Sequence, residues 1–198
     1  MDGIVSEKVI AVVGPTASGK SALAVEIARL VNGEVVSADS RQVYTGLDIG
    51  TGKVTKREMK GIPHHLLDVV SPKRTMSVVQ YEKLATRVIQ DILRRGKIPV
   101  VCGGTGQYVD AVLTSASFPE VPPNAKLRKE LGKLSPEKLF RKLQKIDPAR
   151  AETIDAKNPR RLIRAIEVAE ALGNVPARTP AIERYDTLYI GLTLPKEE

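Results

Sequence analysis

The sequence predicts an α/β fold, a parallel sheet with helices on both faces plus a small helical insert. Three observations carry that reading. Short apolar runs at 9–13, 35–36, 66–70 and 98–102 alternate with helical patterns through the first half of the chain, as in strands joined by crossover helices. Between the first run and a helical pattern over 21–28 lies Gly14-Pro15-Thr16-Ala17-Ser18-Gly19-Lys20-Ser21. It fits G-x-x-x-x-G-K-[ST] in the strand–loop–helix context that pattern requires. After Leu113 the character changes: Phe118-Pro119-Glu120-Val121-Pro122-Pro123 reads as a hinge, because three prolines in five positions forbid regular structure.

Taken in order, Val9-Ile10-Ala11-Val12-Val13 is the first strand, and the glycine-rich loop after it makes the sheet P-loop NTPase-like. Ser77 to Arg95 follows as a helix, with Val78, Tyr81, Leu84, Val88 and Ile92 at helical spacing and Gly96 closing it. The strand at 98–102 runs into Gly103-Gly104-Thr105-Gly106-Gln107-Tyr108, a glycine turn opening a helix. Beyond the hinge, 125–134 and 136–146 read as short helices, the second with Ser135 as N-cap and Pro136 at its first position. Asn158-Pro159 repeats that start signal for a helix to Leu172, closed by Gly173. Its apolar stripe is Leu162, Ile166, Ala169 and Leu172, with Arg160, Arg161 and Arg164 opposite. A returning strand is expected over 187–194. The implied organisation is a catalytic core at 1–115, an insert at 116–157 and a return to the core at 158–198.

Composition bounds the function. The 198 residues carry 31 Lys and Arg against 23 Asp and Glu, a formal charge of +8. The excess concentrates at 126–145, where Lys126, Arg128, Lys129, Lys133, Lys138, Arg141, Lys142 and Lys145 face only Glu130 and Glu137. Such a run is either a solvated helix face or a surface for a polyanion such as nucleic acid. Two Phe and no Trp imply an aliphatic core. The single Cys102 excludes a disulfide framework and a cysteine zinc site, fits a reducing cytosol, and suits a small buried hydrophobe. No stretch approaches the roughly 18 apolar residues of a membrane span, and Met1-Asp2-Gly3 does not open a signal peptide.

The glycine-rich loop can wrap backbone N–H groups around a pyrophosphate at a helix N-terminus, with Lys20 neutralising phosphate and Ser21 holding Mg²⁺. Which pyrophosphate it holds is left open by the loop itself. Asp39, directly after the second strand, could bind metal or ribose, accept a proton, or simply cap its loop. Asp48-Ile49-Gly50-Thr51-Gly52-Lys53 is a second glycine-punctuated polar loop. His64 and His65 are adjacent, a poor chelate spacing, which favours hydrogen-bonding or structural roles. Asp68 could be a metal-orienting carboxylate of the Walker B kind.

Six blocks together resemble one family, the bacterial-type tRNA dimethylallyltransferases, also called tRNA isopentenyltransferases. They are Gly14 to Ser21; Asp39-Ser40-Arg41-Gln42-Val43-Tyr44; Asp48-Ile49-Gly50-Thr51; Gly61-Ile62-Pro63-His64-His65-Leu66-Leu67-Asp68-Val69; Gly103-Gly104-Thr105-Gly106-Gln107-Tyr108; and Arg160-Arg161-Leu162-Ile163-Arg164-Ala165. The resemblance implies transfer of a dimethylallyl group from dimethylallyl diphosphate to N6 of the adenosine 3′ of the anticodon in tRNA. It implies Asp39 as general base, with Lys20 and Thr105 as catalytic partners. Gly14 to Ser21 would bind diphosphate, and Mg²⁺ on Ser21 would assist its departure. For tRNA contacts it implies Asp39, Ser40, Arg41, Gln42, Thr105, Arg128, Arg160, Arg161, Leu162, Ile163 and Arg164. A cytoplasmic monomer is expected. Val54 and Gln107 depart from the family's usual proline and leucine. Family members also continue past Leu194-Pro195-Lys196-Glu197-Glu198 with a helical region that adds an arginine to the diphosphate and more of the tRNA grip. The alternatives are an ATP-dependent P-loop kinase of a small molecule, or a shortened chain that binds without catalysing.

Overall fold

Val9, Ala11 and Val12 are all but inaccessible to solvent, so the first apolar run is buried on both faces, as a strand inside a parallel sheet must be. The computed structural model describes residues 7–116, 118–177 and 181–193. Five parallel strands, β1 (Lys8–Val13), β2 (Gly33–Ser37), β3 (His64–His65), β4 (Ile98–Gly103) and β5 (Asp186–Gly191), form one sheet in the order β3-β2-β4-β1-β5. Side-chain alternation sorts the core. Ala11, Val36 and Val101 face α2 (Val78–Arg94) and α3 (Gly106–Leu113), in a cluster with Tyr81, Ile89, Tyr108 and Val112. Val12, Val35 and Val100 face Ala24 and Ala28 of α1 (Lys20–Leu30). The expected α/β architecture, with helices on both faces, is therefore observed. All carboxyl ends of the strands share one edge, where ligands of such sheets gather.

Several expected elements differ. Residues 66–70 are not a strand; β3 is the preceding pair His64–His65, in register with Val35 and Val36. Leu66 and Asp68 take positive φ angles of 62° and 56°, which turn the chain out of the sheet, and Val70 pairs outside it, in an isolated bridge to Tyr44. Helix α2 begins at a capping box in which Ser77 and Gln80 satisfy each other's backbone N–H. Tyr81 and Ile92 of the expected stripe are buried together with Ala85 and Ile89, and Val78, Leu84 and Val88 pack half-buried against the same cluster, so the stripe is observed and is wider than expected. The returning strand is β5; residue 194 and those after it lie outside the described residues, as do Met1, Asp2 and Gly3.

The chain divides into two compact units, Met1–Ala116 with Pro180–Glu198, and Ser117–Thr179. The second contains α4 (Ala125–Leu131), α5 (Pro136–Ile146), α6 (Pro148–Thr153) and α7 (Pro159–Leu172). Helix α7 therefore belongs with the insert, not with a return to the core from residue 158. The reason is its apolar face: Leu162, Ala165 and Ile166 share a core with Leu131, Leu139, Leu143 and Ala151. Leu172 is 53% exposed and falls outside that core. Helix α4 stops at Leu131 rather than 134, and α6, opened by an Asp147 cap with Pro148 behind it, was not anticipated. No helix among the described residues is long and apolar enough to cross a membrane.

A buried carboxylate organises this second unit. Glu167, 2% exposed, accepts hydrogen bonds from Asn124 N (2.7 Å), Arg128 Nε and Nη2 (2.9 and 2.7 Å) and Arg164 Nη1 (2.6 Å). Arg164 also donates to the carbonyls of Val121 (3.0 Å) and Pro119 (3.3 Å), fastening the proline-rich segment to α7. Burial alone would raise the Glu167 carboxyl; the bonds from Arg128, Asn124 and Arg164 outweigh it and lower its pKa to about 2. A folded pKa below the unfolded value contributes stability that is present above about pH 4.5 and lost as pH falls toward 2. In thermal melts between pH 6 and pH 2, Glu167→Gln should start less stable than wild type and lose less on acidification; parallel acid limbs would remove Glu167 from this role.

Candidate active site

Three turns meet at the carboxyl edge of the sheet. The first follows β1. Gly14 has φ 151°, and a Cβ there would lie 2.6 Å from the Leu192 carbonyl oxygen. Ala17 (φ 62°) and Gly19 (φ 83°) then curl the loop back so that Gly19 stands at the N-cap of α1, with no side chain occupying the cap. That leaves backbone N–H groups at the helix start for an anion. Lys20 is only 9% exposed; its Nζ donates to the Pro15 carbonyl and, at 3.5 Å, to Ser18 Oγ. Exposed Ser21 follows it, on the wall of a small cavity of about 20 Å³ shared with Ser37, Gln42, Val54, His64 and Cys102.

The second turn follows β2. Asp39 Oδ1 accepts from Arg41 N (2.8 Å) and Gln42 N (3.4 Å), an Asx-type turn. So one carboxylate oxygen caps the loop, while Oδ2 has no hydrogen-bond partner among the described residues. Behind it, the buried Tyr81 hydroxyl donates to Ser37 O (3.0 Å), and its ring stacks on Tyr108 with centroids 3.9 Å apart. Burial raises both phenols, Tyr108 to about 12, so both remain neutral donors.

The third turn follows β4 and joins the other two. A Cβ on Gly103 would sit 2.1 Å from the Ala38 carbonyl oxygen; one on Gly104 would sit 3.3 Å from Gly14 O and 3.9 Å from Lys20 Nζ. Thr105 Oγ1 accepts from Ser40 N (3.0 Å) and donates to Ser40 Oγ (3.2 Å). Cys102, near the end of β4, is buried on the α1 side of the sheet. Burial pushes its thiol up to about 11, Lys20 pulling it down and Asp39 adding to the rise, so both charges act on one buried position. Beside this turn a cleft of about 250 Å³ is lined by Val13, Gly14, Gly103, Gly104, Gly106, Val109, Asp110 and Tyr189.

Other candidate residues go elsewhere. Asp68 accepts from Lys53 Nζ, which also binds Asp48 Oδ1 and the Tyr44 carbonyl, both at 2.8 Å. The Asp68 carboxylate thus pins a loop, and the metal-orienting reading gives way. His64 Nδ1 donates to Ile62 O (2.9 Å), and His65 Nε2 to Glu34 Oε2 (2.8 Å), so both histidines serve structure as expected. In the second unit Arg160 and Arg161 are exposed. Arg128 and Arg164 are engaged by Glu167, and Leu162 is fully buried, so its side chain is core rather than contact surface; Ile163 is half-buried. Sequence reasoning missed Tyr81 as a support for the Asp39 turn, because its partner lies 44 residues away.

The family model described as IPP transferase matches residues 42–198. The chain is 41% identical over 196 residues to the tRNA dimethylallyltransferase of Anoxybacillus flavithermus, and 47% identical over 192 residues to that of Roseiflexus sp.. The alignments cover 97% and 94% of this chain and 63% of each relative, so the chain spans less than two-thirds of their length. Among solved structures it resembles a full-length tRNA isopentenylpyrophosphate transferase from Bacillus halodurans at 42% identity and a TM-score of 0.61, covering 93% of this chain and 59% of that one. It also resembles a eukaryotic dimethylallyltransferase described as acting on tRNA, at 32% identity and a TM-score of 0.74, covering 94% and 48% respectively.

The third turn makes a sharp test. Gly103→Ala forces a methyl into the Ala38 backbone and should cost about 1–3 kcal/mol or more, the range for overpacking. Gly106→Ala, with nothing within 4 Å of the added carbon, should stay within about 1 kcal/mol of wild type. Chemical denaturation of the two variants measures the contrast.

Proposed function

The chain belongs to the IPP transferase family, and we propose that it transfers a dimethylallyl group from dimethylallyl diphosphate to N6 of the adenosine 3′ of the anticodon in tRNA. The observation that supports this most is the Ser40–Thr105 pair of hydrogen bonds, since it ties the Asp39 turn to the glycine turn lying against Gly14 and Lys20. A diphosphate at the α1 N-terminus and a base beside Asp39 would then share one edge. In the proposed reaction the N6 lone pair attacks the allylic carbon. The carbon–oxygen bond breaks with its electron pair leaving on diphosphate, and Asp39 Oδ2 takes the N6 proton. Backbone N–H groups of 14–21 and the Lys20 ammonium would stabilise the charge that develops on the leaving group, usually the largest catalytic term. The cleft beside Gly104, walled by Val13 and Val109, offers apolar surface to a five-carbon group. The names of the relatives favour this reaction over phosphoryl transfer from ATP.

Mg²⁺ fits this edge in one way. No cluster of three or more His, Cys, Asp or Glu side chains suited to a metal occurs among the described residues. Ser21 would therefore share the ion with diphosphate oxygens and water, the usual manner for Mg²⁺ at phosphates. When bound, the ion would neutralise charge on the departing diphosphate.

In the second unit Lys126, Lys129, Lys133, Lys138, Arg141, Lys145, Arg160 and Arg161 are exposed, a surface suited to phosphates of the tRNA. The affinity for tRNA should accordingly fall steeply between about 50 and 200 mM salt; a flat profile in filter binding would count against it. The catalytic assignment is tested by Asp39→Asn, which keeps an acceptor for Arg41 N but removes the base. Transfer of labelled dimethylallyl to unmodified tRNA should drop by about 10²–10⁴-fold, with tRNA affinity and melting temperature near those of wild type. Undiminished transfer would remove Asp39 from the reaction. No transfer by the unaltered chain, together with no thermal protection by dimethylallyl diphosphate, would overturn the function itself.

A further inference from the structure

The Asp48–Thr51 loop has so far no part in the proposed function, yet it is built unusually firmly for a surface turn. Ile49 heads a short 3-10 turn, Ile49–Thr51, and is 100% exposed; Leu47 at its base is 41% exposed. Thr51 Oγ1 donates to the carbonyls of Leu47 and Asp48, and Gly52 N and Lys53 N bond back to Ile49 O and Asp48 O at 3.2 and 3.1 Å. Beneath the turn the Lys53 side chain, 6% exposed, grips Tyr44 O, Asp48 and Asp68. Gln42 Nε2 donates to Gly52 O at 3.2 Å, which joins the turn to the Asp39–Gln42 segment. A flexible apolar side chain in water can fold down onto its surroundings; this one is held out by a turn anchored at both ends.

Charge identifies what such a tip meets. Immediately after it come Lys53, Lys56, Arg57 and Lys60 against Glu58 alone. Lys53 is consumed inside the loop and Lys60 pairs with Glu26 (2.7 Å), while Lys56 and Arg57 are exposed. An apolar wedge beside exposed cations, adjoining the turn that carries the proposed base, suits unpaired nucleotides better than a protein surface. Apolar side chains of this kind insert between bases and unstack them, while the neighbouring cations hold phosphates.

We infer that residues 47–57 form an additional RNA-contacting loop in which Ile49 wedges against an unpaired base next to the reacting adenosine, with Lys56 and Arg57 on the adjoining phosphates. This rests on the tRNA reading above, and it adds to that reading a device for unstacking the target base. The test uses the full chain and an anticodon stem-loop RNA carrying 2-aminopurine beside the target adenosine. Wild type should brighten the fluorophore on binding. Ile49→Ser should abolish that signal and weaken RNA binding by about 5–20-fold, leaving the melting temperature and the affinity for dimethylallyl diphosphate unchanged. The double variant Lys56→Ala/Arg57→Ala should lower the salt slope of RNA binding by about 1.4, the value for two single-strand phosphates. RNA binding and fluorescence unaltered by Ile49→Ser would overturn the wedge while leaving the tRNA reading intact. Self-association that disappears in Ile49→Ser without any loss of RNA binding would assign the tip to protein contact and equally overturn it. If wild type binds no RNA, the tRNA reading and the wedge fall together.

Discussion

The close approach of Gly103 to Ala38 is the constraint on which the candidate site depends. Strands β2 and β4 are neighbours, and their ladder runs one residue past β2, through the bond from Ala38 N to Cys102 O at 2.8 Å. At that point the backbones stand so near that no side chain fits on Gly103. Because they do, Thr105 N reaches Ala38 O, and the Thr105 hydroxyl reaches Ser40. Gly104 is meanwhile laid against Gly14 and Lys20. One missing Cβ thus lets three loops, each flexible alone, fix one another.

Buried charge is handled differently at the site and away from it. Glu34, Lys53 and Glu167 are each buried against opposite charges: Glu34 with Arg95 and Lys97, Lys53 with Asp48 and Asp68, Glu167 with two arginines. Arg95 above all holds Glu34 well below the usual carboxylate range against the opposing effect of burial. Such pairs are anchors, since a buried charge without a partner is costly. Lys20 is the contrast. It is nearly as buried, but its ammonium meets only a carbonyl and a hydroxyl. Its charge is not cancelled by any carboxylate among the described residues, which is the condition a phosphate-binding cation must meet. The electrostatics therefore agree with the backbone geometry about where an anion belongs.

The parts of this arrangement that were legible in the sequence are those encoded locally. Helices α5 and α7 match their expected bounds residue for residue, because Ser135-Pro136, Asn158-Pro159 and Gly173 are start and stop signals that act within one turn. The same logic applied to Asp147-Pro148 would have found α6. The strand expected at 66–70 failed because positive φ angles at Leu66 and Asp68 leave no trace in hydropathy. The glycine-rich loop, Asp39 and Thr105 were legible as motifs. Their supports, Thr105 to Ser40 across 65 residues and Tyr81 to Ser37 across 44, were not, since nothing local announces a partner that distant. Glu167 was opaque for a related reason. A carboxylate on an apolar helix face reads as misplaced until Arg128 arrives from 39 residues away.

The engagement of Arg128 and Arg164 also changes what those residues can contribute to recognition. A guanidinium has five donors in a fixed plane, so holding one edge determines where the other points. Arg128 spends Nε and Nη2 on Glu167, while Nη1 has no partner among the described residues and the side chain stays 43% exposed. Arg164 is more fully spent, on Glu167, Val121 O and Pro119 O. Lys126, Lys129 and Lys133 nearby in sequence are exposed ammonium groups on long flexible stems. Such lysines supply charge that any phosphate satisfies. An arginine locked along one edge supplies a donor whose direction is set before a ligand arrives, at little further cost in side-chain entropy. Under the proposed tRNA contact, affinity from the lysines and register from Arg128 would then be separable properties, and the buried Glu167 is what separates them.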